Sequence, residues 1–507
     1  MDTREEMSAT RKPLQLGDAA ALFAVPAIVT LVHLLTNNRY GFHRDELQFL
    51  SDARHLDWGF VAYPPFTGLV EHLGVAWFGL SLAGLRIFSV LAQCAAVVLA
   101  GLMARELGGG RLAVVTATLA VALSPLPLFE GTEFQYTSFD FLWWVGASYC
   151  AIRMLKSENP RWWIAIGALV GMGLETKYSI VIFIAGILIG VALTPVRRQV
   201  KSAWFWAGIL LALAIFLPNL IWLARHDFIS YHFLQSIHAR DVGEGRAVGF
   251  FRDQFVICAS PAAAPLWIAG LLGYLRDRRY RMMALMFLVP VMFFYFAKGR
   301  GYYTAAAYPM LIAMGAVVGE RWLGTLKPAA RRTIAVLYFT NFAVVSAYIC
   351  AILLPLAPDG PLREFALSKN GDLREEIGWY ELTKTVAQIR DSLPPNQQAS
   401  LGIVTGNYGE EGAMEIFGAA YQLPMPISMT NSGWLHGYPT PQPTTLIVVG
   451  FSRAAAERAF AGCRLAGHNG NSEGLRNEES EFHPDIFVCS APREPWAEFW
   501  NDYQAFG

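Results

Sequence analysis

The stretch Asn37–Pro65, NNRYGFHRDELQFLSDARHLDWGFVAYPP, decides how the chain is read. It is far longer than the usual connection of about 4–6 residues, and long ordered connections tend to carry function. Tyr40, Phe42, Leu47, Phe49, Leu50, Leu56, Trp58 and Phe60 give it too dense an apolar pattern for a disordered linker. Glu46, Phe49, Leu50, Ala53 and Leu56 recur at helical spacing, which predicts an amphipathic helix lying along a membrane surface. The acidic pair Asp45-Glu46 stands at its start, flanked by His43 and Arg44. Two readings of that pair stand side by side. The acids cap the helix N-terminus and meet its dipole, or they are chemical groups presented by the loop.

Outward from this segment the chain turns apolar. Over its 507 residues it is 54% hydrophobic and 16% charged, with a mean hydropathy of +0.34; soluble domains carry about 25% charged residues. Crossing roughly 30 Å of hydrocarbon takes about 20 apolar residues in a helix. Runs that meet or approach this are Ala19–Thr36, Leu82–Leu102, Leu112–Phe129, Phe139–Leu155, Trp162–Leu174, Ile180–Leu193, Ala203–Leu223, Phe255–Leu275, Met282–Ala297, Ala305–Trp322 and Thr333–Leu356. About eleven spans are predicted, with Trp162–Leu174 and Ile180–Leu193 short enough to form one interrupted hairpin. The polar start Met1–Lys12 leads into the first run with no small-residue cleavage site, so no cleaved signal peptide is expected.

Every second loop is basic: Arg11 and Lys12; Arg105 and Arg111; Arg153, Lys156 and Arg161; Arg197, Arg198 and Lys201; Arg276, Arg278, Arg279 and Arg281; Lys327, Arg331 and Arg332. Lys and Arg in short loops mark the cytoplasmic side. The expected topology therefore has a cytoplasmic N-terminus and residues 357–507 outside, after a membrane domain over residues 1–356. That assignment accounts for the basic residues, so nucleic acid is not an expected partner. The other face collects Glu130, Glu133, Asp140, Glu175, Lys177, Tyr178, His226, Asp227, His232, His238 and the turn KGRGYY, Lys298–Tyr303. Ionisable groups at membrane depth are costly and point to function, although each alone also fits an interfacial, snorkelling residue.

The phrases YGFHRDELQFLSDARHLDWGFVAYPPFTGLV, LAGLRIFSVLAQ, GMGLETKYS, TPVRRQ, FLPNLIW, KGRGYYTAAAYP and TGNYGEEGAMEIFG resemble those of bacterial family 39 glycosyltransferases, relatives of protein O-mannosyltransferases and of the aminoarabinose transferase of lipid A. The resemblance implies a GT-C fold with a periplasmic C-terminal domain in the bacterial inner membrane. It implies transfer of a sugar, with inversion, from a polyprenyl-phosphate donor to a hydroxyl-bearing acceptor: protein, glycan or lipid. By it Asp45 matches the general base with Glu46 beside it. Lys298, Arg300, Tyr302 and Tyr303 fit a clamp on the donor phosphate, with Lys177 as a second choice. His43, Arg44, Arg86 and Asp140 are possible supporting residues; Arg86 has an acid of the first loop or the phosphate as its partner. Some relatives carry an acid just before the Pro-Pro where this chain has Tyr63, so no obligatory metal is expected, while a divalent ion stays possible.

Residues 357–507 change character. Asp372–Leu393 reads as an amphipathic helix. Ser400–Thr405, Thr445–Val449 and Asp485–Cys489 read as strands, with Gly409–Tyr421 and Arg453–Phe460 as helices between them. A small α/β domain with a mostly parallel sheet is expected. Asn407, Tyr408, Glu410 and Glu411 open a helix after a strand, as a ligand site or as ordinary capping. Cys463 and Cys489 are the two cysteines there, and an extracytoplasmic location predicts that they pair. The competing function is a polytopic transporter or lipid flippase. It should show paired repeats with broken helices near mid-membrane; the chain has no internal repeat, and no Gly-rich phosphate loop precedes a suitable helix.

Overall fold

The computed structural model describes residues 16–507; Arg11, Lys12 and the polar start lie outside them. Each of the eleven apolar runs is helical. Among the described residues, five helices are long and apolar enough to cross a membrane: Gly17–Thr36, Leu82–Glu106, Ala203–Arg225, Gly301–Gly324 and Pro328–Leu353. Two bent pairs raise the number to as many as seven. Ile180–Leu193 turns by 99° into Pro195–Lys201, and Phe250–Val256 turns by 86° into Pro261–Arg276. The expected single span Phe255–Leu275 is therefore broken, with Ser260 capping the new start at Pro261. Arg111–Ala122, Trp162–Leu174 and Arg281–Phe296 are shorter apolar helices.

Without a hydrophobic force between helices in lipid, close backbone approach holds such a bundle together. A Cβ on Gly167 would sit 2.0 Å from the Gly208 carbonyl oxygen, and one on Gly315 would sit 1.8 Å from that of Leu266. Glycine at these two crossings seats Trp162–Leu174 on Ala203–Arg225, and Ala264–Arg276 on Tyr308–Gly324.

Between the first two spans the chain forms the helix Arg44–Arg54 and a second, Phe66–Phe78. The first is closed by a capping box. The His43 ring accepts from the Asp45 amide at 3.2 Å, and Glu46 accepts the His43 amide at 2.9 Å. This helix does not lie open on a membrane surface as expected. Residues from Glu46 to Ala53 are buried, because the C-terminal domain covers its outward face. Leu47 and Leu50 share one hydrophobic cluster with Leu85 of the bundle and with Leu382, Ile403 and Ile447 of that domain.

The domain is built on a five-stranded sheet: β1 Leu401–Thr405, β2 Pro426–Ser428, β3 Thr445–Val449, β4 Arg464–His468 and β5 Asp485–Ser490, in the order β2-β1-β3-β5-β4. β1 is parallel to β2 and β3, whereas β5 is antiparallel to β3 and β4. The sheet is thus mixed rather than mostly parallel. β5 alone runs opposite to the other four strands, inserted between β3 and β4. Cys463 and Cys489 are joined in a disulfide. The expected helix Asp372–Leu393 is split into Asp372–Glu375 and Trp379–Asp391 by Gly378, whose φ of 108° is open to glycine and closed to other residues.

Candidate functional site

Five separate parts of the chain meet at a cavity of about 400 Å³. Arg44 and Asp45 come from the first helix of the long loop, and Lys177 from the turn after Trp162–Leu174. The helix Ile229–Gly243 brings Arg240 and Asp241. Lys298, Arg300, Tyr302 and Tyr303 come from the KGRGYY turn, and Tyr408 from the C-terminal domain. Six cationic side chains face two carboxylate side chains here, Arg44, Lys177, Arg240, Arg246, Lys298 and Arg300 against Asp45 and Asp241. The cavity favours an anion.

Successive residues of a helix point about 100° apart, and this separates the two acids of the motif. Asp45 turns into the cavity. Its Oδ2 accepts from the Gln135 amide at 2.8 Å and its Oδ1 from the Tyr408 hydroxyl at 3.0 Å, with Arg44 at 3.9 Å. Burial alone would raise its pKa. The positive fields of His43 and Arg44 and the two hydrogen bonds outweigh burial and hold the carboxyl below its ordinary value, so it is ionised at neutral pH.

Glu46 turns the other way and does not line the cavity. It is 1% exposed, paired with Arg86 at 2.8 and 2.7 Å, and it accepts the Phe134 amide at 2.8 Å. Arg86 also donates to the carbonyls of Asn37 and Gly41, each at 2.9 Å. The Arg86 partner is therefore the first-loop acid and not an anion in the cavity. Glu46 is committed to structure, which corrects its expected place beside the base. His43 likewise serves as the helix cap and lies 3.8 Å from Glu133. Asp140 sits behind the cavity wall and accepts from the Trp144 indole at 3.0 Å.

The cations divide into committed and uncommitted ones. Arg300 makes two hydrogen bonds of 2.6 Å to Asp241, and Arg246 bridges Asp241 at 3.5 Å and Glu244 at 2.6 Å. Arg300 thus reaches the cavity already neutralised, which departs from its expected place in a phosphate clamp. Arg44 pairs with Glu478. Among the described residues, Lys177 and Lys298 are the lining cations engaged in no ion pair. Lys298 is exposed to the cavity, at a positive φ of 52° that turns the chain between two spans. The Lys177 ammonium stands over the rings of Tyr136 and Tyr303 at 5.0 Å and of Tyr302 at 6.0 Å, a cation–π cage. Burial pulls its pKa below the usual lysine value, while Asp140 and Glu130 push the other way.

The sequence reading missed Gln135, Tyr136, Arg240, Asp241 and the reach of Tyr408. Asn407 does cap its helix, accepting the Glu410 amide at 3.0 Å, and that cap aims Tyr408 at Asp45. Among the described residues no group of three or more His, Cys, Asp or Glu side chains is placed to hold a metal ion.

A polytopic bundle with two helices between its first two spans, a cationic cavity behind them and a C-terminal mixed-sheet domain defines the GT-C architecture. Residues 62–222 match the family described as dolichyl-phosphate-mannose-protein mannosyltransferase. The undecaprenyl phosphate-alpha-4-amino-4-deoxy-L-arabinose arabinosyl transferase 1 of Pseudomonas fluorescens is 27% identical over 271 residues, 49% of this chain and 48% of that protein. The lipopolysaccharide core galacturonosyltransferase RgtB of Rhizobium johnstonii is 28% identical over 228 residues, 44% and 46% of the two chains. The crystal structure of ArnT from Cupriavidus metallidurans bound to undecaprenyl phosphate superposes with a TM-score of 0.54 at 14% identity, covering 94% of this chain and 98% of that one. Over about half its length this chain is similar to these transferases, and it has the GT-C fold. It spans about half the length of the curated relatives it matches. The family match begins after the His43–Glu46 motif, so the assignment of Asp45 rests on geometry.

Proposed function

We propose that this chain is an inverting glycosyltransferase. It moves a sugar from a polyprenyl-phosphate donor to a hydroxyl-bearing acceptor at the outer face of the bacterial inner membrane. The observation that carries the reading is the sharing of one cavity by an ionised, doubly hydrogen-bonded Asp45 and two lysines free of ion pairs. Asp45 takes the proton of the acceptor hydroxyl as its oxygen attacks the anomeric carbon. The bond from that carbon to the phosphate oxygen breaks, and the lipid phosphate leaves with the electron pair. General-base help of this kind contributes about 10²–10⁴-fold. Lys177 and Lys298 meet the charge that grows on the departing phosphate, where fixed cations lower the barrier. The chain's own cations supply that charge compensation, so no metal is required by this scheme. The matched relatives named for undecaprenyl-phosphate donors and for core lipopolysaccharide support a lipid-linked donor and an envelope acceptor. The alternating basic loops support a cytoplasmic N-terminus with residues 357–507 outside.

Two variants of the purified protein test the scheme. Asp45→Asn keeps the volume and one acceptor oxygen, and is expected to lower turnover at least about 100-fold with folding unchanged; near-normal turnover removes Asp45 as the base. Lys298→Ala is expected to weaken the binding of undecaprenyl phosphate, measured by tryptophan fluorescence, by about tenfold. Unchanged affinity removes Lys298 from the phosphate site. Mass spectrometry of envelope glycans and glycolipids from a strain lacking the protein identifies the acceptor.

A further inference from the structure

At the end of the bundle where Arg111 and Lys327 lie, a second cavity of about 270 Å³ opens between the helix Pro328–Leu353 and its neighbours. Its cause is legible in that helix. Only Phe342, Ser346 and Ile349 of it are buried, so its second half seats on the bundle while its first half runs free. Of the five long spans it is the least covered, with 17% of its most apolar window buried. The cleft left behind is lined by Leu112, Leu266, Gly319, Leu323, Ile334 and Tyr338, among others. The Tyr338 hydroxyl on its wall is buried with no hydrogen-bond partner, which is costly unless something supplies an acceptor. Glu320 also lines the cleft, but its carboxylate is already engaged. Oε2 accepts the Gly110 amide at 2.6 Å and Oε1 the Ala113 amide at 3.3 Å.

Glu320 apart, the charged side chains at the start of the Pro328–Leu353 helix are cationic. Lys327, Arg331 and Arg332 are exposed at the start of the free half, and none of them forms an ion pair among the described residues. Arg331 stands three, four and seven positions before Ile334, Ala335 and Tyr338, on the same helical face as the lining. An apolar slot in the hydrocarbon region, an unmet donor within it and unpaired cations beside it match the three parts of one molecule. We propose that the cleft binds an anionic phospholipid. Its acyl chain fills the slot beside Gly319, a glycerol ester carbonyl accepts from Tyr338, and its phosphate meets Arg331 and Arg332. The site lies at the opposite end of the bundle from the Asp45 cavity and is independent of the proposed transfer reaction.

Native mass spectrometry of the full chain in detergent tests this, using phosphatidylglycerol and phosphatidylcholine with identical acyl chains. A Cβ on Gly319 meets nothing within 4 Å, so Gly319→Phe fills the slot without striking backbone. The wild-type chain is expected to prefer phosphatidylglycerol by roughly tenfold. Gly319→Phe loses the bound lipid, and each of Arg331→Ala and Arg332→Ala lowers the preference about fivefold. Equal retention of the two lipids by the wild type, or undiminished binding to Gly319→Phe, overturns the proposal. Diazirine-tagged phosphatidylglycerol applied to the wild type decides the matter without any variant. Labelling within residues 334–339 supports the site, and labelling confined to other spans overturns it.

Discussion

Adjacent acids in one motif do opposite work, and the difference is a matter of which way each side chain leaves its helix. Asp45 faces the cavity while Glu46 is locked to Arg86, both partners about 1% exposed. Removing one member of such a buried pair strands the other, at a cost of about 3–5 kcal/mol. Arg86→Met is accordingly expected to lower stability by that amount, read from chemical or thermal unfolding in detergent, whereas a surface pair such as Arg279 with Glu158 should contribute little. The sequence could place both acids at a helix start, where capping and chemistry predict the same residue types. It could not show the rotation that separates them, because that depends on Arg86, 40 positions later. The KGRGYY turn was legible as a cationic site for the same reason that it was overread: nothing in the turn reveals that Asp241 neutralises Arg300.

At the scale of elements, apolar length was a faithful guide and shorter signals were not. The apolar runs are helical, although Leu112–Phe129 and Phe255–Leu275 are each broken into two helices, whereas Phe66–Phe78, whose apolar pattern is interrupted by Glu71 and His72, went unassigned. β2 is three residues long and β4 is exposed at both ends, so neither has the apolar core that marked β1, β3 and β5. The two domains come into close backbone contact where Tyr408–Gly418 crosses the helix Arg44–Arg54. A Cβ on Gly412 would lie 2.3 Å from the Leu47 carbonyl oxygen, and backbone on both sides leaves nothing flexible to yield. Gly412→Ala is expected to cost about 1–3 kcal/mol and to speed protease cleavage between the two domains. An unchanged cleavage rate would mean that the crossing is looser than its geometry.

Across the whole molecule, the bundle and the C-terminal domain meet through buried carboxyls. Burial lifts Asp52 to about 7, outweighing the hydroxyls of Tyr63 and Ser432, and lifts Glu411 to about 8, outweighing that of Ser428. A raised folded-state value means that the native junction prefers the protonated form. Its stabilisation is complete below the ordinary carboxylate range near 4 and is lost as the pH climbs through about 7–8. Glu415 runs the other way, since His55 and Ser51 outweigh burial and hold it below its ordinary 4.5, beneath that window. Hydrogen exchange over residues 44–54 is therefore expected to quicken between pH 5.5 and 8.5 beyond the intrinsic rate, and Asp52→Asn should flatten the change.

The phenol that touches Asp45 is encoded 363 positions downstream of it. Ribosomes finish the acid's immediate neighbourhood long before they reach the ring that completes its coordination. A nascent chain not yet through Tyr408 holds its carboxylate by Gln135 and Arg44 without the phenol, so completion of the centre waits on the C-terminal domain.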